Sequence, residues 1–460
     1  MAARPAARPP APSVNLAETV ELLHTHLTAA LCHTVFQRVR IRERQRQWSL
    51  AALAQFWLTV LFTGPRSLTQ ALEEAGMTFP ALGPAARSSP EAFFQRAERL
   101  RPQFFQALYE AFVARLLPDA LPTYAAAVQG LRKRFAEVWV VDGSRLDAVA
   151  HRLKLTWDVR SPLLPGCLLV LYDLFRGVPR RLSFCADAAR SELQHALEQL
   201  DHIPPQTLLL ADRLYASVKL VAALTEGQVW LLCRRNRRLT LRHQRWLRRR
   251  QLKGGGALRE RLVLVGSGQG TPPQLLRQIR YTTRRLTVDL LTSVLEPVRL
   301  PAEDALACYR LRWQVERLFF DLKEVLDLHH FYLASPQGVA QQVYAAASVY
   351  AAMRVAQAHI AQEHQLPPEE LSPAKLFPRV ARVSIVLVDA ERVFAATQRA
   401  NPRVRLTKPD WAELPPVQVP LEKLLVERRR GKRRKRRFCA SRRRWKSFTH
   451  LSGARQFGLS

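Results

Sequence analysis

Two short apolar runs of the chain each end in an aspartate. Residues 138–141 are rich in β-forming side chains and lead directly into Asp142, after which a Gly-Ser pair breaks the run. Residues 207–211 repeat this pattern and lead into Asp212. A single aspartate at the end of a strand is usually a turn or helix-capping residue. Two such positions predict a pair of buried strands that present carboxylates at their ends.

A third segment has the period of an amphipathic helix. At roughly 100° per residue, four polar side chains fall within a wedge of about 60°; they are Tyr309, Arg312, Glu316 and Lys323. Beside this wedge runs an apolar stripe that we expect to face a core: Val315, Leu318, Phe319, Leu322, Val325 and Leu326. The pattern therefore predicts one helix that packs against a core and presents an acid beside two cations and a phenol.

These residue types suit phosphodiester chemistry. A carboxylate can bind a hard divalent cation, while Arg and Lys bind phosphate oxygens of the same substrate. The alternative for the helix is a solvated face with an ion pair between Arg312 and Glu316. Other carboxylates compete for the role, although one of them, Asp321, lies about 140° from Glu316 around the helix. The competitors are Asp147, Asp173, Asp187, Asp321 and Glu324.

With these three acidic clusters, the sequence resembles the DDE transposases of bacterial insertion sequences. The particular group that it resembles carries the signature Y-x2-R-x3-E-x6-K around its third acid, and this chain matches the signature in full at Tyr309, Arg312, Glu316 and Lys323. Segment 167–178, an apolar run that leads to a turn glycine, is similar to the hairpin of that group. The resemblance covers most of residues 135–360.

The resemblance implies an α/β fold with a ribonuclease H-like mixed sheet flanked by helices. It implies that Asp142, Asp212 and Glu316 are the catalytic residues. In this family the three acids bind two divalent ions, Mg²⁺ or Mn²⁺. We therefore expect the three acidic clusters to meet at one metal site.

The resemblance also implies a substrate and a reaction. The substrate is double-stranded DNA, both the ends of a mobile element and the target. The reaction is metal-dependent hydrolysis of phosphodiester bonds followed by strand transfer, by a cut-and-paste route. Bringing two element ends together implies at least a homodimer. The residues expected at DNA phosphates are Tyr309, Arg312 and Lys323, and Arg213 and Tyr215 are further DNA-binding candidates because they follow the second acid.

The second and third acids are separated by 104 positions, more than one connection in a compact core needs. Short apolar runs separated by glycines predict a β-rich insertion at residues 227–300. Within it, residues 233–250 carry nine Arg together with Trp246. This combination suits phosphate contact and base stacking, while a buried structural role for Trp246 is the alternative.

The remaining boundaries follow from composition. Residues 1–125 are expected to be helical and to bind DNA ends through a helix-turn-helix, and a plain helical bundle without this role is the alternative. The core is expected at residues 126–226 and 301–365. A proline-punctuated helical appendage at 366–427 and a basic tail at 428–460 complete the chain.

The charge of the chain supports a polyanionic partner. There are 71 Lys and Arg against 38 acids, a formal net charge of +33. Nucleic acid is favoured over a membrane as the partner. The tail contributes thirteen Lys and Arg between Arg428 and Lys446, with no acid. Such a block typically binds phosphate backbones, and a solubilising tail is the alternative.

Cysteine usage and hydropathy bear on location. The six cysteines are scattered without C-x-x-C pairing, which argues against zinc ligation and disulfides and fits a bacterial cytoplasm. The most apolar stretch near the amino terminus, residues 48–62, is too short to span a membrane and predicts a buried helix. We therefore expect a DNA-associated cytoplasmic protein without a membrane segment.

Two other functions use the same features. A ribonuclease H-like nuclease, such as a resolvase, would need the same acids but not paired DNA ends. A DNA-binding protein descended from a transposase would keep the basic surfaces without catalysis. The large insertion and the signature from Tyr309 to Lys323 argue against the nuclease, and the presence of all three acids argues against the descendant without catalysis.

Overall fold

A computed structural model describes residues 13–39, 48–74, 90–121, 130–146, 166–252, 256–266, 270–407 and 417–426. The predicted basic tail and the candidate Asp147 lie outside these residues. The strands are β1 Ser13–Asn15, β2 Glu137–Arg145, β3 Cys167–Asp173, β4 Val178–Cys185, β5 Thr207–Ala211, β6 Trp230–Arg234, β7 Leu241–Leu252, β8 Gly256–Val265, β9 Gln274–Thr282, β10 Thr287–Thr292 and β11 Gln418–Pro420.

Along the chain, helices precede the main strands, lie between some of them and follow them. They are α1 Ala17–His26, α2 Ala29–Val39, α3 Leu50–Thr63, α4 Leu68–Glu74, α5 Pro90–Arg99, α6 Pro102–Leu116, α7 Glu192–Leu197, α8 Val218–Glu226, α9 Ala302–Leu311, α10 Trp313–Phe320, α11 Pro336–Glu363 and α12 Pro373–Ala400. No helix in the described ranges is long and apolar enough to cross a membrane.

Nine strands form one mixed sheet in the order β4-β3-β2-β5-β6-β10-β9-β8-β7. Strands β2, β5 and β6 are parallel neighbours, and all other pairs are antiparallel. The predicted hairpin is present as β3 and β4. Strands β6 to β10 lie between the second and third acids and all belong to this sheet. The expected α/β fold, a large mixed sheet flanked by helices, is confirmed.

Both faces of the central strands are buried, which explains their unbroken apolar runs. Alternate residues of β2, such as Val138 and Val140, pack with α11 and the amino-terminal helices. We call this the first face. The intervening residues, such as Trp139 and Val141, pack with α7 and α8 on the second face. By the same alternation, Asp142 belongs to the first face and the next residue to the second.

Helix α11 is the centre of the first face. It is alanine-rich and buried over almost its whole length, so α1, α3, α5 and α6 can approach it closely. Its Gln341 accepts a hydrogen bond from Trp57 Nε1 (3.0 Å) on α3. The same side chain donates to the Ala97 carbonyl oxygen (2.8 Å) on α5. The predicted buried helix at residues 48–62 is confirmed as α3 and packs on this scaffold.

Three details differ from the sequence predictions. Strand β2 does not end at Asp142 but continues to Arg145, because it still pairs with β3 after its pairing with β5 ends. The signature helix is interrupted at Arg312 and finishes in a π-helical turn, Asp321–Val325. Beyond residue 366 the chain forms the 28-residue α12, which has Pro378 within it, and β11 pairs with β1.

Replacing Gln341 by Leu should destabilise the junction of α3, α5 and α11. The substitution removes the acceptor for Trp57 Nε1 and the donor for the Ala97 carbonyl, leaving both buried groups unpaired. We expect the free energy of unfolding to fall by about 1–3 kcal/mol, measured by urea denaturation. Gln103→Leu is the control because that side chain is exposed on α6. Equal losses in both variants would contradict this role for Gln341.

Candidate active site at the ends of the parallel strands

The parallel pairing of β2 and β5 brings the first two acids together. Its register ends at the pair Val141 and Ala211, and each is followed directly by its aspartate, Asp142 or Asp212. Neighbouring strands lie about 4.8 Å apart, and both aspartates follow the parity of the first face. The two carboxylates are therefore adjacent on the same side of the sheet.

Glu316 reaches this edge from α10. The helix packs beside β2, and its Val315 and Leu318 are buried in the first-face core. Arg312, between α9 and α10, joins the clusters: its Nη1 lies 3.2 Å from Asp142 Oδ2 and its Nη2 lies 2.5 Å from Glu316 Oε1. The alternative of a solvated helix face is thus excluded for this pair, because the Arg312, Asp142 and Glu316 side chains are only 10–16% exposed.

Asp212 precedes the 3₁₀ turn Arg213–Tyr215 at its N-cap position, but its side chain makes no capping hydrogen bond. Capping of this turn therefore does not explain why an aspartate is present at position 212. It is partly buried. Its negative charge also raises the pKa of both Asp142 and Glu316. Asp212 thus belongs electrostatically to the same cluster as the other two acids.

The cluster concentrates negative charge in a poorly solvated place. Burial raises the pKa of Asp142 well above its ordinary value, and nearby Glu192, Glu316 and Asp212 raise it further while Arg312 opposes them. Burial likewise raises the pKa of Glu316. For Arg312, burial favours the neutral form, but the neighbouring acids outweigh it and raise its pKa. The site therefore favours bound positive charge.

The other two signature residues lie beside the same strand end. The Tyr309 ring centroid is 6.0 Å from Arg312 Cζ. Lys323 Nζ donates to Ser144 Oγ (2.8 Å) and to the Arg145 carbonyl oxygen (2.6 Å) on β2. Burial lowers the pKa of Lys323 to about 8. All four signature side chains thus gather at this edge, although the segment is not one regular helix.

The structure gives Arg213 and Tyr215 different surroundings. Arg213 is exposed next to the second acid. Tyr215 is fully buried, and its hydroxyl donates to Glu192 Oε1 (2.5 Å). Its position does not suit the predicted direct contact with DNA. The sequence could not reveal this, because a tyrosine after a strand-end acid has the same pattern whether it points outward or inward.

Trp246 does not lie at the acidic cluster. It is on β7, the edge strand, which is six strands away from β2 in the order of the sheet. Its side chain is 38% exposed, so it is not a core residue. The guanidinium carbons of Arg249 and Arg261 lie 3.8 Å and 5.5 Å from its ring centroid. This edge of the sheet therefore carries a partly exposed aromatic ring in contact with two arginines.

The competing carboxylates that the structure describes have other partners. Asp173 is buried, accepts hydrogen bonds from the turn after β3 and pairs with Arg176 and Arg180. Asp321 is buried 3.7 Å from Arg317 Nε, and burial raises its pKa to about 6. The other two carboxylates have local contacts. Asp187 accepts a hydrogen bond from the Ala189 N–H, and the Glu324 carboxylate contacts the His329 ring nitrogen Nε2. None of these contacts is with the cluster of Asp142, Asp212 and Glu316.

Sequence reasoning missed a fourth acid at the site, Glu192. It is the first residue of α7, and its Oε1 accepts hydrogen bonds from the Gly143 N–H (3.1 Å) and the Tyr215 hydroxyl (2.5 Å). Burial raises its pKa, and Asp212 adds to this effect. The only sequence signal was Ser191 followed by an acid, which is typical of any helix start.

The acidic donor set fits a divalent cation. Carboxylate oxygens are the preferred ligands of Mg²⁺ and Mn²⁺, and two of the acids already converge on one positive group, the Arg312 guanidinium. Within the described ranges, no three acidic, His or Cys side chains are yet grouped at metal-binding distances. Arg312 lies between Asp142 and Glu316, so closer approach of these carboxylates requires it to move.

Comparisons with known proteins agree on one family. Residues 134–352, slightly less than half of the chain, match the family model described as "Transposase DDE domain", and this span includes all three acids. A curated protein of Sinorhizobium fredii, "Putative transposase y4zB", is 27% identical over 190 residues, which are 41% of this chain and 52% of that protein. The match thus spans about half the length of the relative. Together these findings support a DDE transposase.

A solved structure with low similarity is the "Cryo-EM structure of piggyBac transposase synaptic complex with hairpin DNA (SNHP)". Its TM-score is 0.40 at 10% sequence identity, over 87% of this chain and 86% of the other. A similarity of this size carries no conclusion about the fold or the function.

Replacing Gly143 by Ala should disturb the site, because the new Cβ would lie 2.6 Å from Cγ and Cδ of Glu192. We expect a loss of about 1–3 kcal/mol in the free energy of unfolding from overpacking, measured by thermal or urea denaturation. Gly227→Ala is the matched control, since its Cβ would meet no atom closer than 3.6 Å. A Gly143→Ala protein as stable as this control would show that Glu192 moves aside freely.

Proposed function

We propose that the chain is the transposase of an insertion sequence. It binds the element ends and carries out metal-dependent phosphodiester hydrolysis and strand transfer by a cut-and-paste route. The observation that carries this proposal is the bridge from Asp142 through Arg312 to Glu316, with Asp212 on the adjacent parallel strand. It supports one shared site for three acids that are widely separated in sequence.

We assign the chain to the group with the Y-x2-R-x3-E-x6-K signature, on a ribonuclease H-like core. The complete motif and the position of its four side chains beside β2 support the group. The strand order β4-β3-β2-β5-β6 supports the core, since an antiparallel three-stranded unit is followed by two parallel strands. The insertion predicted at residues 227–300 also contains β6, so in this assignment the insertion elaborated on the core would consist of β7 to β10.

Asp142, Asp212 and Glu316 would hold two divalent ions, Mg²⁺ or Mn²⁺. When bound, such ions supply an activated hydroxyl nucleophile and stabilise the leaving oxygen of an in-line displacement. The role of the protein is to present oxygen ligands from two strands and one helix. The raised pKa of Asp142 reflects its burial first and then the repulsion from the neighbouring acids, and a bound divalent charge would relieve this repulsion.

Arg312, Lys323 and Tyr309 would bind the DNA phosphates around the scissile bond. Arg312 compensates the carboxylates in the free protein, so it is available to a phosphate once other positive charge takes over that role. Lys323 is held at the end of β2 by Ser144 and the Arg145 carbonyl, which fixes its direction. Both cations would offset charge that develops on phosphorus.

Other DNA contacts would lie further from the chemistry. Arg213 is exposed beside the second acid and can reach a phosphate. Trp246, between Arg249 and Arg261, offers a partly exposed ring for stacking and cations for the backbone. We assign Tyr215 a supporting role instead, because it is buried.

The proposed partners are double-stranded element ends and target DNA, bound by a homodimer that pairs two ends. The net charge of +33 favours such a polyanion. The amino-terminal helices would bind the ends, although α3 is buried against α11 and would not itself enter a groove. A DNA-associated location in the bacterial cytoplasm belongs to the same proposal, as does a DNA-binding role for the tail.

Cleavage of a supercoiled plasmid that carries the element's terminal sequences tests the reaction. With Mg²⁺ or Mn²⁺, we expect the parent to cut at the ends, and Glu316→Gln and Asp142→Asn to lose activity on the order of a thousandfold or more while still binding DNA. Asp201→Asn, an exposed acid on the surface, is the control and should cut normally.

The same assay separates the alternatives. Binding of the ends without cutting by the parent, under conditions in which a related transposase cuts, would favour a DNA-binding descendant. Cutting that depends on DNA structure and not on the terminal sequences would favour a nuclease or resolvase. Cutting that persists in the acid variants would exclude the assigned site.

The lowered pKa of Lys323 predicts a pH dependence of DNA binding. Its pKa is about 8 in the free protein, so the charged form that binds phosphate is lost as pH rises through that value. We expect affinity for a terminal DNA duplex, measured by fluorescence anisotropy at constant salt, to fall between about pH 7.5 and 9.5. The arginine in Lys323→Arg stays charged throughout this range, so the affinity of this variant for DNA should change less with pH. Parallel curves for the two proteins would exclude Lys323 as the titrating contact.

A further inference from the structure

Glu192 links the two strand ends that carry Asp142 and Asp212. One of its hydrogen-bond donors, the Gly143 N–H, directly follows the first aspartate. The other, the Tyr215 hydroxyl, belongs to the 3₁₀ turn that begins directly after the second aspartate. A single carboxylate oxygen, Oε1, accepts both hydrogen bonds. It therefore connects the backbone beside one acid to the turn beside the other.

This link lies where the sheet no longer holds the two ends together. The pairing of β2 with β5 stops at Val141 and Ala211, one residue before each acid. Beyond that point, no backbone ladder between these strands sets the distance from Asp142 to Asp212. A side chain that bridges the two ends can take over this role.

The bridge is anchored from the second face of the sheet. Tyr215 is fully buried in the second-face core. Helix α7 is held by His195, whose Nε2 lies 2.8 Å from Ser183 Oγ on β4. Gly143 lies so close to Glu192 that a Cβ there would meet its side chain at 2.6 Å. Glu192 thus approaches the two strand ends from the second face of the sheet, whereas the signature helix packs on the first face.

We propose that Glu192 is a positioning residue that holds Asp142 and Asp212 at the spacing needed to share divalent cations. This role rests on the proposed function of the site. Both hydrogen bonds hold the Oε1 of Glu192 toward the strand ends, so we assign this residue an orienting role, and the variants below distinguish that role from metal ligation through Oε2. Groups that hydrogen-bond and orient metal-binding side chains commonly control metal affinity in this way.

Binding of Mn²⁺ to the full-length chain without DNA tests the role independently of catalysis. Isothermal titration calorimetry would compare the parent with Glu192→Ala, Glu192→Gln and Tyr215→Phe. We expect Glu192→Ala to weaken binding roughly 10- to 100-fold. Glu192→Gln should stay within roughly threefold of the parent, since an amide oxygen can accept the same two hydrogen bonds. Tyr215→Phe, which removes one of them, should be intermediate.

The controls separate positioning from binding and from folding. Glu226→Gln changes an exposed acid on α8 and should leave Mn²⁺ affinity unchanged. Asp142→Asn gives the effect of losing a ligand. The Gly143 N–H donates to both Glu192 Oε1 and Asp142 Oδ1, each at 3.1 Å. Exchange of this amide hydrogen, followed by mass spectrometry, should be faster in Glu192→Ala than in Glu192→Gln, because only the alanine variant loses one of these two acceptors.

Each contrary outcome has a definite meaning. If Glu192→Gln weakens Mn²⁺ binding as much as Asp142→Asn does, Glu192 is a ligand and the positioning role is wrong. If Glu192→Ala lowers only thermal stability and binds Mn²⁺ like the parent, the residue is merely structural and the proposal is overturned. If the parent itself binds no Mn²⁺, the proposed function fails, and this role fails with it.

Discussion

The site depends on compensation of negative charge by Arg312. Asp142 and Glu316 approach each other in a place where water has little access, and repulsion between such acids opposes folding unless a cation intervenes. Arg312 supplies that cation and links α10 to β2. Because the guanidinium is planar with several donors, it can contact both carboxylates at once. The arrangement stabilises the free protein and keeps the acids directed to one point.

The scaffold makes this compensation possible. Parallel pairing of β2 with β5 places two aspartates side by side, and both faces of these strands are covered by packed side chains. On the first face, α11 supports the amino-terminal helices through Gln341. On the second face, α7 brings Glu192 behind the strand ends. The acids are therefore supported from both sides of the sheet, as a pre-organised site requires.

The sequence predicted the elements that carry strong local patterns. Continuous apolar runs rich in β-forming residues located β2 and β5, and a helical period located the signature side chains around Glu316. It did not predict the break at Arg312 or the π-helical turn around Lys323, because regular helical spacing along the chain carries no signal for a local change of helix type. The inward direction of Tyr215 was also missed, because a tyrosine after a strand-end acid has the same pattern whether it points outward or inward.

The sequence by itself determined the inventory of the site: two aspartates after apolar runs, and a glutamate among two cations and a phenol at fixed spacing. Local periodicity carries this information because it depends only on neighbours along the chain. Only the tertiary structure decided which groups meet. The bridge by Arg312, the link by Glu192 and the remote position of Trp246 each join or separate segments distant in sequence. Sheet register and helix packing set these distances, and neither follows from spacing along the chain.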